Sequence, residues 1–302
     1  MGFLRYPVRH FFTQRLKVHL DEEVQEQLDE EPFGIDGLQR YGLQQALLAD
    51  ASLALEGGAD IEQALQAGAR RLQRSGRLPL AGFGERLRDE VLAPLPEQMQ
   101  RYQAFCELWP ERLDSPAALA FEHAGVELQG WLGGLRRRPG DSQLLRLELQ
   151  PGGLKRGESW KWHRLLRPWV VQVTAAACGL PLTTVLIGED VSVQFEPVEP
   201  EQARAILRGW LEAWRAGMNA PLPVALNTAI AWLCAEDEEK AEKAARDTFE
   251  GSYNRSGEVT GCASLARQFP DLASLLADGD FTEWAHVLYQ SLLSARFAAL
   301  KE

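Results

Sequence analysis

The chain has 302 residues, 45% hydrophobic and 25% charged, with a formal net charge of −11. That apolar content supports a globular core and argues against a disordered chain. The acidic balance argues against a dedicated, free-standing nucleic-acid binder, which would be basic, though it leaves room for a local basic patch.

Cys106, Cys178, Cys234 and Cys262 lie far apart, with no C-x-x-C pair, and the five histidines are equally scattered. No zinc spacing or disulfide framework follows, and the expectation is reduced core thiols in a cytoplasmic protein. No positively charged leader precedes an apolar stretch at the start of the sequence.

The opening "YPVRHFFTQRLKV" reads as a helix with Pro7 at its first position. Val8, Phe11, Phe12 and Leu16 fall on one face, so Phe11, Phe12 and Leu16 are expected to be buried. So abrupt a structured start suggests part of a longer chain. The acidic run Asp21–Glu31 reads as a solvated surface. Asp36 and Asp60 are placed to cap two helices, the second turning Ile61, Leu65 and Leu72 inward. "GRLPLAGFGE" is a break, and the helix that follows, disturbed at Pro94 and Pro96, ends near Leu108.

From Ala117 the period changes to two. "AALAFEHAGVELQGWLGG" and "SQLLRLELQ" alternate apolar and polar residues, as half-buried strands do. "LRRRPGDS" between them reads as the loop of one hairpin. A helix is expected over Glu158–Cys178, with Pro168 as a kink or boundary. The uncharged run Trp169–Gly188 is nearly bilayer-length, but Gln172, Thr174, Thr183 and Thr184 interrupt it and Gly179-Leu180-Pro181 divides it. It reads as a helix end, a turn and a buried strand, with no membrane role. "LTTVLIG" and "VSVQFEPV" are strands, and the remainder is helical, including a last helix near Phe281–Leu300. The prediction is one α/β unit over 1–302: helical 1–113, a β-rich core 114–198, helical 199–302.

A phosphate-cradling loop, a dinucleotide fingerprint and a nucleophile elbow are all missing from the sequence. One large class of metal-dependent nucleases carries, on paired strands, a metal-binding Asp and then acid-x-Lys. Here those positions read Gly, Leu, Arg and Glu. The acids Glu122, Glu127, Asp141 and Glu148 lie along the strands and their loop, Glu148 alternates with Arg146 as "RLE", and the nearest lysine, Lys155, lies beyond the turn. Clustered carboxylates are needed to hold Mg²⁺, so no catalytic residue, metal ligand or cofactor is predicted.

Trp160, Trp162 and Trp169 alternate with Lys161, His163, Arg164 and Arg167. Such a pattern can stack unpaired bases and meet phosphate, but on these residues alone an amphipathic helix burying its indoles is the stronger reading. Arg136, Arg137 and Arg138, with Lys161 and Arg164, are the candidate DNA contacts, against the plainer reading of "RRR" as a solvated loop.

"YPVRHFFTQRLKV", "EEPFGIDGLQRYGLQQALL", "GRLPLAGFGE", "GWLEAWRAGMNAPLPVALNTAIAWL" and "FEGSYNRSGE", in this order and spacing, resemble the C-terminal domain of RecC, the gamma chain of exodeoxyribonuclease V. The resemblance implies the C-terminal portion of a longer subunit. It also implies a fold like the RecB-type (PD-(D/E)xK-like) nuclease, inactive and surrounded by helices. The family's domain works with RecB and RecD on double-stranded and forked DNA, parting the duplex, routing strands and holding RecD. A pure scaffold for RecD docking and an active nuclease with migrated acids are the alternatives.

Overall fold

Leu182–Ile187 is a run of six residues without a charge, and all six are buried. A strand of that composition needs cover on both faces. In the computed structural model, which describes residues 1–20, 36–77, 81–253 and 255–300, that cover is what the rest of the chain provides. The acidic run Asp21–Glu31 and part of the "GRLPLAGFGE" break lie outside the described residues.

The strands are β1 (Glu111–Arg112), β2 (Ala117–His123), β3 (Val126–Leu132), β4 (Leu135–Arg137), β5 (Leu144–Leu149), β6 (Lys155–Arg156), β7 (Ser159–Trp160), β8 (Leu182–Ile187), β9 (Ser192–Phe195), β10 (Gly251–Ser252), β11 (Arg255–Ser256) and β12 (Phe297–Leu300). Helices α1 (Gly2–Arg5) and α2 (Pro7–His10) run into a π-helical segment, Phe11–Leu16. Then come α3 (Gly37–Glu56), α4 (Ile61–Arg74), α5 (Ala81–Leu92) and α6 (Leu95–Leu108) before the sheet, and α7 (Trp162–Ala177) within it. After β9 follow α8 (Pro200–Asn219), α9 (Leu226–Leu233), α10 (Glu238–Phe249), α11 (Ala263–Gln268), α12 (Leu272–Leu276), α13 (Phe281–Ala285), a π-helical turn at His286–Gln290, and α14 (Ser291–Leu293).

The main sheet has the order β1-β4-β5-β8-β9-β12. β5 and β8 are parallel, Leu144 opposite Leu182 through Leu149 opposite Ile187. Parallel neighbours need a crossover, and α7 is that crossover. The other pairings are antiparallel. Period-two alternation then divides the side chains. Leu145, Val185 and Ile187 face a core built from Leu43, Leu47, Leu48, Leu65, Leu95 and Met99 of α3, α4 and α6. Leu144 and Leu182 face Ala175 of α7. Leu186 joins the larger core of α7, α8 and the C-terminal helices. The result is an α/β architecture with a mixed sheet and helices around it.

Both Asp caps form. The Asp36 carboxylate accepts from Gln39 N at 2.6 Å and the Gln39 side chain reaches back, a full capping box; Asp60 accepts from Gln63 N at 3.0 Å. Leu65 and Leu72 are buried, while Ile61 is only partly so.

Several expectations change. The strand at Val126 does not pair with that at Leu144. β2 and β3 form their own hairpin, Ala117 opposite Leu132 through His123 opposite Val126. Ala124 and Gly125 at its tip both have positive φ, 51° and 76°, the turn whose twist suits a two-residue connection. "LRR" is strand β4, paired with β1 and β5, rather than loop. The β region is wider than 114–198: β1 precedes it, and the chain's last described residues form β12 against β9, not helix. Helix α7 starts at Trp162, since Ser159–Trp160 belongs to a small ribbon with Lys155–Arg156. Cys262 is buried, but Cys106 and Cys178 are half-buried and Cys234 is exposed, so not every thiol is in the core.

At the opening, Phe12 and Val8 are buried with Phe3 and Leu4 against α8, and Phe11 is half-buried. Leu16 is 48% exposed. The cause is the π-helical segment: its wider turn rotates Leu16 off the face that a 3.6-residue period predicts. One hydrogen bond joins the ends of the chain, Tyr289 Oη to Leu4 O at 2.9 Å, and Trp210 Nε1 of α8 donates to Leu288 O at 3.2 Å. Phe12→Ala is therefore expected to cost about 3–5 kcal/mol in denaturant unfolding, and Leu16→Ala to stay within about 0.5 kcal/mol.

Candidate functional site

Strand β5 is where a sheet nuclease would carry its acid. Its even residues, Leu144, Arg146 and Glu148, point to the α7 side. Glu148 Oε1 stands 3.1 Å from Arg146 Nη2, a charge contact along the strand, and Arg167 of α7 brings Nε to 3.9 Å of Oε2. The side chains of Arg146 and Glu148 are only 17% and 12% exposed. Burial lowers the Arg146 pKa from its ordinary value, and the Glu148 carboxylate opposes that shift. Two guanidinium groups thus stand beside this carboxylate, whose buried Oε1 accepts no hydrogen bond. Glu122 and Glu127 face each other on the separate hairpin, and Asp141 caps Gln143 N in the β4–β5 connection. Among the described residues, no group of three or more His, Cys, Asp or Glu side chains could hold a metal ion.

The three arginines at 136–138 go three ways. Arg136 is buried, donates to Trp109 O at 2.8 Å, and lies 3.6 Å from Glu56. Arg137 pairs with Glu111 across the β1–β4 ladder at 2.6 Å. Arg138 lies over the Trp109 ring, 4.5 Å from its centroid. Side chains alternate along a strand, so consecutive arginines on β4 cannot share one face. The structure therefore does not bring Arg136 to the surface with the other two.

Lys161 and Arg164 meet at the entry to α7. Arg164 Nη1 donates to Pro151 O at 3.0 Å and Gly153 O at 2.8 Å, and Lys161 Nζ to Gly153 O at 3.0 Å. Asp190, after β8, accepts from Leu154 N at 2.6 Å and Lys155 N at 2.9 Å. This knot explains "PGG". Gly152 takes φ +75°, and a Cβ there would meet Arg164 at 2.8 Å; one on Gly153 would meet Asp190 at 2.8 Å. Beside the knot a cleft of about 540 Å³ is lined by Arg40, Tyr41, Glu90, Gly152, Arg164 and Glu189. Arg40 is paired with Glu90 at 3.0 Å.

The tryptophans of this region are packed. Trp160 and Trp162 stand edge-on to Phe297, at 5.1 and 6.2 Å between ring centres. Trp169 is buried and donates to Ser291 Oγ at 3.2 Å. The indole-burying reading prevails for Trp169, while Trp160 and Trp162 keep partly exposed surfaces. One residue that sequence reasoning passed over completes the site: Asp190, whose signal was the Gly-Gly pair it approaches.

His163 records the local field. Burial, then the charges of Arg164, Arg5 and Lys161, hold its pKa down to about 4. The imidazole is neutral at pH 7, and the unfolded chain binds the extra proton first as pH falls below 6.5. His163 therefore lowers stability progressively between pH 6.5 and 4 and has no effect above that window. His163→Gln is expected to flatten the fall in melting temperature across pH 6.5 to 4 and to leave the pH 8 value within a few degrees. Thermal unfolding over a pH series is the check.

Sequence comparison sets this geometry beside known proteins. The model of the RecC C-terminal domain family matches residues 1–237. The chain is similar to the RecBCD enzyme subunit RecC of Escherichia coli (strain K12), 30% identical over 237 residues that make up 76% of this chain and 18% of that protein. It thus spans less than a fifth of that relative's length. No helix among the described residues is long and apolar enough to cross a membrane.

Proposed function

The chain belongs to the RecC C-terminal domain family, and from that premise we propose that it is a non-catalytic domain of a DNA-repair and recombination helicase–nuclease subunit, an exodeoxyribonuclease V gamma chain of the cytoplasm. It helps part duplex DNA, guides the separated strands, and holds the partner subunits RecB and RecD. The observation that carries the reading is Glu148, the one acid on the central strands of the sheet, flanked by Arg146 and Arg167.

The antiparallel β4–β5 hairpin, the crossover α7 and parallel β8 support reading this sheet as a core like that of the RecB-type nuclease. Nuclease chemistry on such a sheet needs carboxylates free to ligate Mg²⁺ and a lysine to orient water. Here the acid's neighbours are cations, and a dication entering beside two guanidinium groups would meet repulsion at short range. No cofactor is called for. Strand guidance needs exposed cations, and Arg138, Arg156 and Arg167 are exposed. The scaffold reading is favoured by a different observation: Arg136, Lys161 and Arg164 are already engaged with protein carbonyls.

Incubated with linear single- and double-stranded DNA and Mg²⁺ or Mn²⁺, the chain is expected to leave both intact. Degradation that disappears in Glu148→Ala would restore an active nuclease.

Strand guidance is tested in the rebuilt assembly with Arg138→Ala/Arg156→Ala, exposed positions that spare Arg136, Lys161 and Arg164, which are bonded to protein carbonyls. Each lost phosphate contact should reduce the slope of log affinity against log salt by about 0.9, and fork-DNA binding should weaken severalfold. An unchanged slope with RecD released would favour the scaffold.

A further inference from the structure

The β2–β3 hairpin presents two unlike faces. From behind it is tied down: Phe121 and Leu128 pack on the large core, His123 meets Glu212 at 2.6 Å, and Arg215 of α8 donates to Ala124 O at 3.1 Å. Its outer face is exposed, and on it register aligns three cross-strand pairs. Ala118 lies opposite Trp131, Ala120 opposite Gln129, and Glu122 opposite Glu127. Trp131 is 74% exposed beside two alanines that leave its ring uncrowded.

Like charges directly opposite on neighbouring strands destabilise a hairpin. Glu122 and Glu127 hold that arrangement, and neither has an ion-pair partner among the described residues; Glu127 accepts only from Gln129. Arg215 reaches the tip from the back, where it bonds a carbonyl. A strip with an indole at one end and an uncompensated pair of carboxylates at the other, on a rigidly backed hairpin, is built for contact. The two carboxylates repel phosphate, which excludes nucleic acid as its occupant.

We propose that this face docks a protein subunit that presents an arginine or lysine beside an apolar recess. The recess takes Trp131, and the cation lies between Glu122 and Glu127. The inference rests on reading the chain as a domain of a multi-subunit assembly. It assigns subunit docking to the hairpin and leaves strand guidance to the cations elsewhere.

The test measures binding of the chain to purified RecB and to purified RecD of its own organism, and separately to fork DNA. Wild type is compared with Trp131→Ser and with Glu122→Lys/Glu127→Lys, all exposed positions, with folding checked by circular dichroism. Each variant should weaken binding of one subunit at least about ten-fold, and neither should weaken DNA binding. Wild-type binding to a subunit that both variants retain in full overturns the docking face and leaves the proposed function standing. Wild-type binding to neither subunit overturns both. Loss of DNA binding, or a wild-type dimer that Trp131→Ser converts to monomer, assigns the face to another occupant and overturns the proposal.

Discussion

The parallel pairing of β5 with β8 is the constraint on which the structure depends. A parallel pair needs a long crossover, and the crossover lies over one face of the sheet. Helix α7 fills that place with Leu165, Leu166, Trp169 and Val173, all buried. The opposite face of the same strands then needs its own cover, and the α3–α6 bundle supplies it through Leu145, Val185 and Ile187. Helix α6 is bound to the sheet by polar contacts as well. Gln98 donates to Ile187 O and Gln150 O at 2.7 and 2.9 Å, and Arg101 to Gly188 O and Glu189 O at 2.9 and 2.8 Å. Strand ends that would otherwise leave buried carbonyls unpaired are satisfied from helix side chains.

The same crossover sets the chemistry. Because α7 lies on the Glu148 side of β5, Arg167 is brought to that carboxylate, and the space in which a metal could be held is occupied by charge of the wrong sign. Because α7 begins after the Pro151–Gly153 turn, Lys161 just before it and Arg164 in its first turn close that turn instead of reaching solvent. A cation bonded to two backbone carbonyls is still a source of positive potential, which adds to burial in depressing the His163 pKa. It is a poorer direct ligand for phosphate than a free side chain would be. The basic content of the α7 entry therefore divides into cations that build the fold and cations, such as Arg156, that face outward.

The net charge of −11 is spread unevenly over the surface. Two regions of the surface differ in the sign of their charge. The outer face of the β2–β3 hairpin carries unpaired carboxylates and an exposed indole, whereas the α7 entry and Arg138 carry positive charge. The family matched over residues 1–237 includes both regions.

Much of the local structure was legible in the sequence. Asp36 and Asp60 announce their helices because a cap is satisfied within three residues, and Leu182–Ile187 reads as a doubly covered strand because its apolar run has no other stable place. The "RLE" pattern on β5 foretold a carboxylate next to a cation, since residues two apart on a strand share a face. What only the tertiary structure decided is pairing between segments. Alternation cannot say which strand a strand meets, so β2 with β3 and β4 with β1 and β5 emerged from the fold. The same limit hid the burial of Arg136, whose partners Trp109 and Glu56 are distant in sequence, and the approach of Arg167 to Glu148, which depends on the placing of a whole helix. Periodicity reports a face. What that face touches is decided by the long-range packing that periodicity does not contain.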